Sequence, residues 1–274
     1  MRTKKTIMGR LARTALLALV FMAGSQSLIF AGGRKEEPAA GNAPVTILVA
    51  AAASLEYSYA RELVPLFTKK YPWITVEGTY DSSGKLQTQI EAGLEADVFM
   101  SAAERQMNAL VEKNLVARET VKPLLENKIV LIKPAGSATE ARDFKTAALA
   151  KTIALGDPAS VPAGQYAKEA FTSLGVWEAV SARASFGTNV TEVLNWVGEG
   201  SADAGVVYAT DAATTNKVEV IAEAPAGSLA QKVIYPVGMV AASAHPEEAR
   251  LFIDFLASGE ALAIFKAYGF SPNN

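Results

Sequence analysis

Two patterns of apolar residues alternate along this chain. In Val45–Ala50 the apolar residues are consecutive and mostly β-branched, whereas in Ser54–Lys70 they recur every three or four positions, at Leu55, Tyr59 and Leu63 for example. A short continuous apolar run predicts a buried strand, and the spacing of three or four predicts a helix with one buried face. The chain therefore begins its folded part with a strand that leads into a helix.

The same alternation continues to the C-terminus. Further strands are predicted at 74–80, 97–100, 128–132, 152–155, 203–208, 218–222 and 233–241. Further helices are predicted at 85–92, 104–113, 163–174, 189–198 and 246–265. Such alternation predicts an α/β fold with a mainly parallel sheet and helices on both faces. In sheets of this kind, ligands bind at the carboxyl ends of strands, where helices begin.

Small and hydroxyl-bearing residues stand at four of the predicted helix starts. These segments are Ala50-Ala-Ala-Ala-Ser54, Asp81-Ser-Ser-Gly84, Ser160-Val-Pro-Ala-Gly164 and Gly187-Thr-Asn-Val-Thr-Glu192. For the first segment alone, helix capping and close packing are the better explanation, because serine caps are common. Their recurrence favours a binding site, because a helix start offers unpaired N–H groups and a partial positive charge to an anion. Tyr208, at the end of a strand, adds a hydroxyl donor.

The N-terminal segment is typical of an export signal. Five basic residues precede and flank the apolar run Ala15–Gly24, and small residues follow at Ala31, Gly32 and Gly33. Because a bilayer-spanning helix needs about 20 apolar residues, this run predicts a cleaved signal peptide over 1–31. An uncleaved anchor is the alternative, since Leu28–Ala31 extends the apolar stretch. Residues 32–43 are polar and broken by proline and glycine, which predicts a tether.

Charge and composition exclude several classes of function. Residues 1–31 hold 5 of the 26 basic residues and none of the 28 acidic ones, so the remainder has 21 basic residues and a net charge of −7. That balance argues against nucleic acid and anionic membranes as partners. The chain as written has no cysteine, which excludes disulfides, thiolate metal sites, cysteine nucleophiles and a lipid-modified cysteine.

Several motifs, in order, resemble the periplasmic molybdate-binding proteins of ABC transporters. They are AAAASL, SSGKLQTQIEAG, ADVFMSA, GDPASVPAGQYAKEAF, GVVYATDA and IFKAYGF. The likeness extends from about Val45 to Phe270, and the segment from Gly156 to Phe171 is its most distinctive part. The resemblance implies the two-lobed α/β fold of type II periplasmic binding proteins, with the ligand in the cleft between the lobes.

The resemblance also implies the binding residues, one position at a time. Ser54 and Ser83 match serines that bind the oxyanion through hydroxyl and backbone N–H groups. Ala163 and Val190 match residues that donate a backbone N–H, and Tyr208 matches a tyrosine that donates its hydroxyl. The segment around Val190 is the least distinctive of these, and Ser82, one place from Ser83, is the alternative for the second serine.

A fully ionised oxyanion suits a site made of such donors. It carries only acceptor oxygens, and charge-assisted hydrogen bonds contribute about 1.5–3 kcal/mol each, so five to seven of them can hold a buried ion without a countercharge. Molybdenum would enter as the oxyanion, with no direct protein ligand and no further cofactor. Hydrogen phosphate needs an acceptor, for which Asp81 is the candidate, although Asp81 is more typical of a turn. Lys85 is interpreted as a solvated first-turn side chain.

The resemblance predicts the organisation and the partners. Lobe 1 comprises 44–125 and 236–274, and lobe 2 comprises 126–235. The protein is predicted to be a monomeric extracytoplasmic or periplasmic receptor that binds molybdate and tungstate and delivers them to an ABC permease with its ATPase. A receptor for sulfate or another small oxyanion is the alternative.

Two other functions, that of an enzyme and that of a ferric-iron receptor, have weaker support in the sequence. An enzyme would need a nucleophile with a base, and the single histidine, His245, precedes Pro246 at a helix start, without a nucleophile-elbow motif. A ferric-iron receptor of related fold would need clustered tyrosines, but Tyr57 and Tyr59, two positions apart, lie on different faces of a helix.

Overall fold

The computed structural model describes residues 42–273. The predicted signal peptide, 1–31, and nearly all of the predicted tether, 32–43, lie outside the described residues. From Asn42 onward the chain forms one compact unit. None of the helices within 42–273 is long and apolar enough to cross a lipid bilayer.

Strands and helices alternate over most of this unit. The strands are β1 Val45–Ala52, β2 Ile74–Asp81, β3 Val98–Met100, β4 Lys122–Asn127, β5 Ile129–Pro134, β6 Ile153–Gly156, β7 Ala184–Gly187, β8 Ala204–Tyr208, β9 Val218–Glu223, β10 Val233–Met239 and β11 Ser271–Pro272. The helices are α1 Glu56–Ser58, α2 Val64–Lys70, α3 Ser83–Glu91, α4 Glu104–Glu112, α5 Pro162–Ser173, α6 Trp177–Ser181, α7 Val190–Gly198, α8 Ala209–Ala212, α9 Pro246–Leu256 and α10 Gly259–Ala267.

The strands form two mixed sheets. The first has the order β11-β4-β10-β3-β1-β2, and the second has the order β7-β6-β8-β5-β9. Pairing is parallel between β1 and its neighbours β2 and β3, and between β6 and its neighbours β7 and β8. The pairs formed by β10, β11 and β5 are antiparallel. The prediction of a mainly parallel sheet is therefore wrong.

The antiparallel pairs arise where the chain passes between the sheets. It leaves the first sheet after β4 and enters the second through β5, and it returns to the first sheet through β10 after β9. A strand that enters a sheet in this way is not part of a βαβ unit, so nothing forces it to run parallel to its neighbours. We call the first sheet with α1–α4, α9 and α10 the first half, and the second sheet with α5–α8 the second half. The predicted lobe boundaries stay a prediction.

The helical segment predicted at 54–70 is confirmed, but it is not a uniform α-helix. A 3₁₀ turn at Ala53–Leu55 leads into α1, and a π-helical turn at Tyr59–Leu63 separates α1 from α2. Pro65, near the start of α2, has no N–H to donate to the preceding turn. The wider π turn lies directly before this proline, where the regular ladder cannot continue.

The helix predicted at 246–265 is in fact two helices. The first, α9, ends at Leu256, and α10 begins at Gly259. Between them Ser258 has an extended backbone, and its Oγ accepts a hydrogen bond of 3.3 Å from the N–H of Ala261. A serine with this geometry is a helix N-cap, so it starts a new helix within a sequence whose apolar spacing is continuous.

The core covers both faces of the end of β1. Val49, Ala50 and Ala51 of β1 are fully buried. Val49 and Ala51 belong to the same core cluster as Phe67 of α2 and Phe252 of α9, whose rings lie edge-on with centroids 4.9 Å apart, whereas Ala50 packs in a second cluster. The carboxyl end of β1 is therefore buried where it leads into the 3₁₀ turn at Ala53–Leu55.

Candidate functional site

All five residues that the sequence predicts as ligand-binding line one small cavity. They are Ser54, Ser83, Ala163, Val190 and Tyr208. The remaining lining residues are Ala52, Ala53, Asp81, Ser82, Ala102, Val161 and Pro162. Both halves of the fold contribute, although these residues are far apart in sequence. The structure therefore brings the predicted residues together, while their binding role stays a prediction.

Helix starts supply most of the cavity wall. Ser83 opens α3, Ala163 is the second residue of α5, and Val190 opens α7. The first N–H groups of a helix have no intrahelical partner, and each helix start carries a partial positive charge. The starts of three helices therefore bring backbone N–H groups and positive potential to the wall of this cavity.

The local sequence explains why these helices begin where they do. Pro162 occupies the first turn of α5, where its missing N–H costs nothing. Asn189 caps α7, and its Oδ1 accepts from the N–H of Glu192 at 3.0 Å, as the predicted capping box requires. The reciprocal bond differs, because Glu192 Oε2 accepts from the N–H of Thr188 at 2.6 Å.

Three serine hydroxyls face the cavity. Ser83 Oγ accepts a hydrogen bond of 3.0 Å from the N–H of Ala102, and Ser54 Oγ lies 3.0 Å from Tyr235 Oη. Ser82 Oγ is buried and has no hydrogen-bond partner within the described residues. A buried hydroxyl without a partner costs about 1–3 kcal/mol, so a ligand acceptor beside it would be stabilised. Ser82 is thus a further candidate beside Ser83, not a replacement for it.

The fourth hydroxyl belongs to Tyr208. Its side chain is 2 % exposed, and burial raises its pKa well above the ordinary value, with smaller contributions from Tyr235, Tyr166 and Asp211. The hydroxyl therefore keeps its proton and remains a donor at neutral pH. In this structure it donates to the carbonyl oxygen of Ala102 over 3.4 Å, a long bond that a better acceptor can displace.

The cavity is small. Its volume is ≈ 10 Å³, about the space that one water molecule needs. A tetrahedral oxyanion would require the wall to widen, and an organic phosphate is far too large for the space between the lining residues. A much larger groove, of ≈ 1000 Å³, is lined by Trp177 and Phe186 among others, but none of its lining residues belongs to this cavity.

Charge beside the cavity is balanced within the protein. Asp81 lines the wall, and its carboxylate accepts from the N–H of Ser82 at 2.7 Å, from Asn189 Nδ2 at 3.2 Å and from Lys85 Nζ at 3.2 Å. Lys85 is not among the lining residues, and 38 % of its side chain is exposed. It is therefore half-solvated as predicted, but paired with Asp81. The site offers a ligand neutral donors, with one ion pair at its edge.

The two halves touch each other around the cavity. The N–H of Gly84 donates to the carbonyl of Ser160 at 2.9 Å, and Gln106 Nε2 donates to Gln165 Oε1 at 3.1 Å. Together with the Asn189–Asp81 bond, these contacts join α3 and α4 of the first half to the starts of α5 and α7. The site is therefore enclosed on both sides.

A buried carboxylate lies behind the cavity. Asp211 is 5 % exposed, and burial raises its pKa to about 7, while a hydrogen bond from the N–H of Tyr208 opposes that shift. The side chains that interact with it electrostatically are the neutral phenols Tyr208 and Tyr235. The sequence did not point to Asp211, since it follows a strand end like many capping residues.

The residues that would support an enzyme or a ferric-iron receptor lie outside the cavity wall. His245 is the residue before α9 and does not line the cavity. Tyr59 is fully buried, and its hydroxyl donates to Met100 Sδ at 2.9 Å, whereas Tyr57 is 39 % exposed. The two tyrosines therefore do not form a shared iron site. Within the described residues, no group of three or more His, Cys, Asp or Glu side chains could hold a metal ion.

Known proteins share both the sequence and the fold. Residues 47–271 match the family described as bacterial extracellular solute-binding protein. The chain is 37 % identical over 237 residues to the molybdate-binding protein ModA of Haemophilus influenzae, covering 85 % of this chain and 91 % of that protein. It is 36 % identical over 254 residues to ModA of Escherichia coli, covering 89 % and 96 %. The periplasmic molybdate-binding protein of Azotobacter vinelandii superposes with a TM-score of 0.73 at 21 % identity, covering 83 % and 100 %.

A side chain at position 84 should prevent the halves from meeting. A Cβ atom on Gly84 would lie 2.3 Å from the carbonyl oxygen of Ser160 and 2.7 Å from its Cα, and neither backbone atom can rotate away. We expect Gly84→Ala to weaken binding of a small oxyanion by about 5–150-fold, the equivalent of 1–3 kcal/mol for overpacking. Calorimetric titration measures this loss. Gly259→Ala is the matched control, because nothing lies within 4 Å of that position, and equal affinities for the two variants would contradict the prediction.

The buried Asp211 should make stability fall as the pH rises. Its folded pKa of about 7 is above the ordinary value, so the folded state binds the proton more tightly than the unfolded state. The resulting stability is complete below pH ~4 and is lost as the pH rises toward about 7. Asp211→Asn should therefore stabilise the protein at pH 8 by about 1–4 kcal/mol, and by much less at pH 5. Urea unfolding at both pH values tests this, and a difference independent of pH would refute it.

Proposed function

The chain belongs to the family of bacterial extracellular solute-binding proteins, and we propose that it is the receptor that binds molybdate, and with it tungstate, for import by an ABC transporter. Members of this family bind solutes for transport and are not enzymes. Two relatives at 36–37 % identity over most of their length are molybdate-binding proteins. The fold is the predicted α/β fold of type II periplasmic binding proteins.

The observation that carries this proposal is the convergence of unused donors in a closed cavity. Helix starts contribute backbone N–H groups, and Ser82 contributes a buried hydroxyl that has no partner within 42–273. The cavity is small, at ≈ 10 Å³, so only an ion of a few atoms is compatible with a limited widening of its wall. Donors without acceptors, together with three positive helix ends, favour a small dianion that has only acceptor oxygens. We assign its binding to Ser54, Ser83, Ala163, Val190 and Tyr208, with Ser82 in addition.

The surroundings of Asp81 leave little acceptor capacity for phosphate. Near neutral pH phosphate keeps a proton, which must be donated to an acceptor in the site. Asp81 is the carboxylate in the wall, and its Oδ1 accepts from Ser82 and Asn189, whereas its Oδ2 accepts from Lys85. A bound hydrogen phosphate would have to share Oδ2 with Lys85. Sulfate, the alternative ligand, lacks such a proton and meets the same donors, so only the fit of its size separates it from molybdate.

We further propose how the receptor works in the cell. The segment 1–31 directs export, 32–43 is a tether, and the folded part acts as a monomer outside the cytoplasm. The first and second halves act as lobes that close on the ion and open without it, with β4 and β10 forming the passages between them. The closed form delivers molybdate to the membrane permease, whose ATPase partner drives import. No cofactor besides the bound oxyanion takes part.

Titration with four oxyanions tests the ligand. We expect molybdate and tungstate to bind tightly and to raise the melting temperature, since a ligand at 100 times its Kd stabilises the folded state by about 2.7 kcal/mol. Sulfate and phosphate should have little effect at the same concentration. Equal affinity for sulfate and molybdate would make the protein a general receptor for tetrahedral dianions, and failure of all four ions to bind would overturn the proposal.

Serine variants test whether that ligand binds in the cavity. Ser83→Ala should weaken molybdate binding by about 5–150-fold, because the loss of a donor to a buried charge costs about 1–3 kcal/mol. Ser58→Ala is the control, since Ser58 is a buried serine whose hydroxyl donates to the carbonyl of Leu55 and is not in the cavity wall. If both variants bound like the wild type, the ion would bind elsewhere.

The ion pair at the edge of the cavity should have only a modest effect. Lys85→Ala leaves the carboxylate of Asp81 without its cation, and we expect molybdate affinity to fall up to about fivefold, the upper range for a partly exposed pair. The double variant Lys85→Ala with Asp81→Asn should recover that loss. A decrease of 100-fold or more in Lys85→Ala, not recovered by Asp81→Asn, would show that the lysine contacts the ion directly.

A further inference from the structure

We propose that Tyr235 and Asn127, which do not line the cavity, are positioning residues that commit the hydroxyl of Ser54 to donation. Ser54 can then give its proton to the bound ion, whereas accepting a hydrogen bond from the ion would turn that proton away from the ion and leave it without an acceptor. This inference rests on the proposed function of the cavity as an oxyanion site. It goes beyond that function because it assigns part of the selectivity to two residues at the passages between the halves.

The direction of the hydrogen bonds is set first at Asn127, the last residue of β4. Its Oδ1 accepts from the N–H of Lys128 at 2.8 Å, which identifies the other side-chain atom as the nitrogen. Nδ2 donates to Thr210 Oγ1 at 2.9 Å and to Tyr235 Oη at 3.2 Å. An amide nitrogen has two protons and no acceptor capacity, so both of its bonds run outward from Asn127.

Tyr235 accepts from Asn127 and must therefore donate its own proton to another group. Its side chain is fully buried, and within the described residues its hydroxyl forms hydrogen bonds with Asn127 Nδ2 and, at 3.0 Å, with Ser54 Oγ, while the neighbouring Tyr208 hydroxyl donates to the carbonyl of Ala102. The proton of Tyr235 cannot go to the amide nitrogen, and a buried hydroxyl proton without an acceptor costs about 1–3 kcal/mol. Tyr235 therefore donates to Ser54. Burial also keeps the pKa of Tyr235 well above its ordinary value, so that proton is present at neutral pH.

Ser54 is left with a proton to donate and one free lone pair, and within the described residues Tyr235 is the hydrogen-bond partner of its hydroxyl. Because Ser54 lines the cavity, its proton is available to the ion there. Ser83 has the same arrangement by a different route, since its Oγ accepts from the N–H of Ala102. Each of these two serines therefore meets the cavity as a donor, each fixed by a separate internal bond.

Fixed direction affects selectivity as well as affinity. A serine hydroxyl that rotates freely can donate to a fully ionised oxyanion or accept from a protonated one. When Tyr235 already donates to the serine, the serine can accept from a protonated oxyanion only by turning its own proton away from the ion, where it has no acceptor. That lost hydrogen bond disfavours the protonated oxyanion. Tyr235 should thus disfavour hydrogen phosphate relative to molybdate without touching either ion.

Tyr235→Phe tests this, because it removes one oxygen and keeps the buried ring. We expect molybdate affinity to fall about 5–30-fold, within the range for a lost buried hydrogen bond. Hydrogen phosphate affinity should fall much less or rise, so that the ratio of the two affinities narrows about tenfold. Both are measured by titration at a pH where phosphate is a singly protonated dianion. Tyr59→Phe, which removes the hydroxyl of another fully buried tyrosine, is the control and should leave the ratio unchanged.

A double-mutant cycle tests whether Tyr235 acts through Ser54. In a Ser54→Ala background, Tyr235→Phe should cause no further narrowing of the ratio. Should Tyr235→Phe fail to fold, Asn127→Asp provides a second test, since a carboxylate accepts the proton of Tyr235 and turns it away from Ser54. The added negative charge weakens the binding of molybdate and of hydrogen phosphate alike, so the ratio of the two affinities still reports the direction of the bond between Tyr235 and Ser54.

The results separate the two proposals. Additive effects of Tyr235→Phe and Ser54→Ala, or an unchanged ratio in both Tyr235→Phe and Asn127→Asp, would overturn the positioning role while molybdate still binds the wild type. Failure of the wild type to bind molybdate would instead overturn the proposed function.

Discussion

The proposed site depends on one electrostatic constraint, which is that a doubly charged ion is to be held away from water without a buried cation. Each oxygen of such an ion accepts, so every group around it must donate, and any acceptor in the wall repels it. The starts of α3, α5 and α7 and the hydroxyls of Ser54 and Ser83 would meet this constraint, and the Ser83 oxygen already accepts from the N–H of Ala102. The carboxylate in the wall, Asp81, is itself covered by three donors.

Small residues are the steric requirement of the same arrangement. Backbone N–H groups reach an ion only if no side chain intervenes, and three helix starts can converge only if their first residues are narrow. The four alanines that end β1 and lead to Ser54, and Gly84 against the backbone of Ser160, meet this requirement. Close approach of two backbones is thus as important to the site as any polar side chain.

The sequence predicted the elements that have strong local signals. Serine, proline and the Asn189 cap predicted helix starts at 85, 163 and 189, within two residues of the observed starts at Ser83, Pro162 and Val190. The resemblance to a family selected the candidate donors among them. Local patterns did not predict features that depend on distant residues. Tyr235 and Ser54 are 181 positions apart, and the apolar run of β10 gives no sign that the Tyr235 hydroxyl has a partner. The antiparallel pairs in both sheets were not predicted either. Strand direction depends on how the chain passes between the two sheets, which involves residues far apart in sequence. The helix N-cap at Ser258 was not predicted, because the apolar spacing continues through this position without a break.

The contact between Gln106 and Gln165 has a consequence for how affinity can change over time. It joins the two halves outside the cavity wall, and Gln106 Oε1 and Gln165 Nε2 have no partner within 42–273. If closing the halves and binding the ion are one equilibrium, any free energy gained or lost at this contact appears in the binding constant, a tenfold change for each 1.4 kcal/mol. Mutation of Gln106 or Gln165 can then change the affinity for the ion, while the residues that donate hydrogen bonds to the ion stay the same.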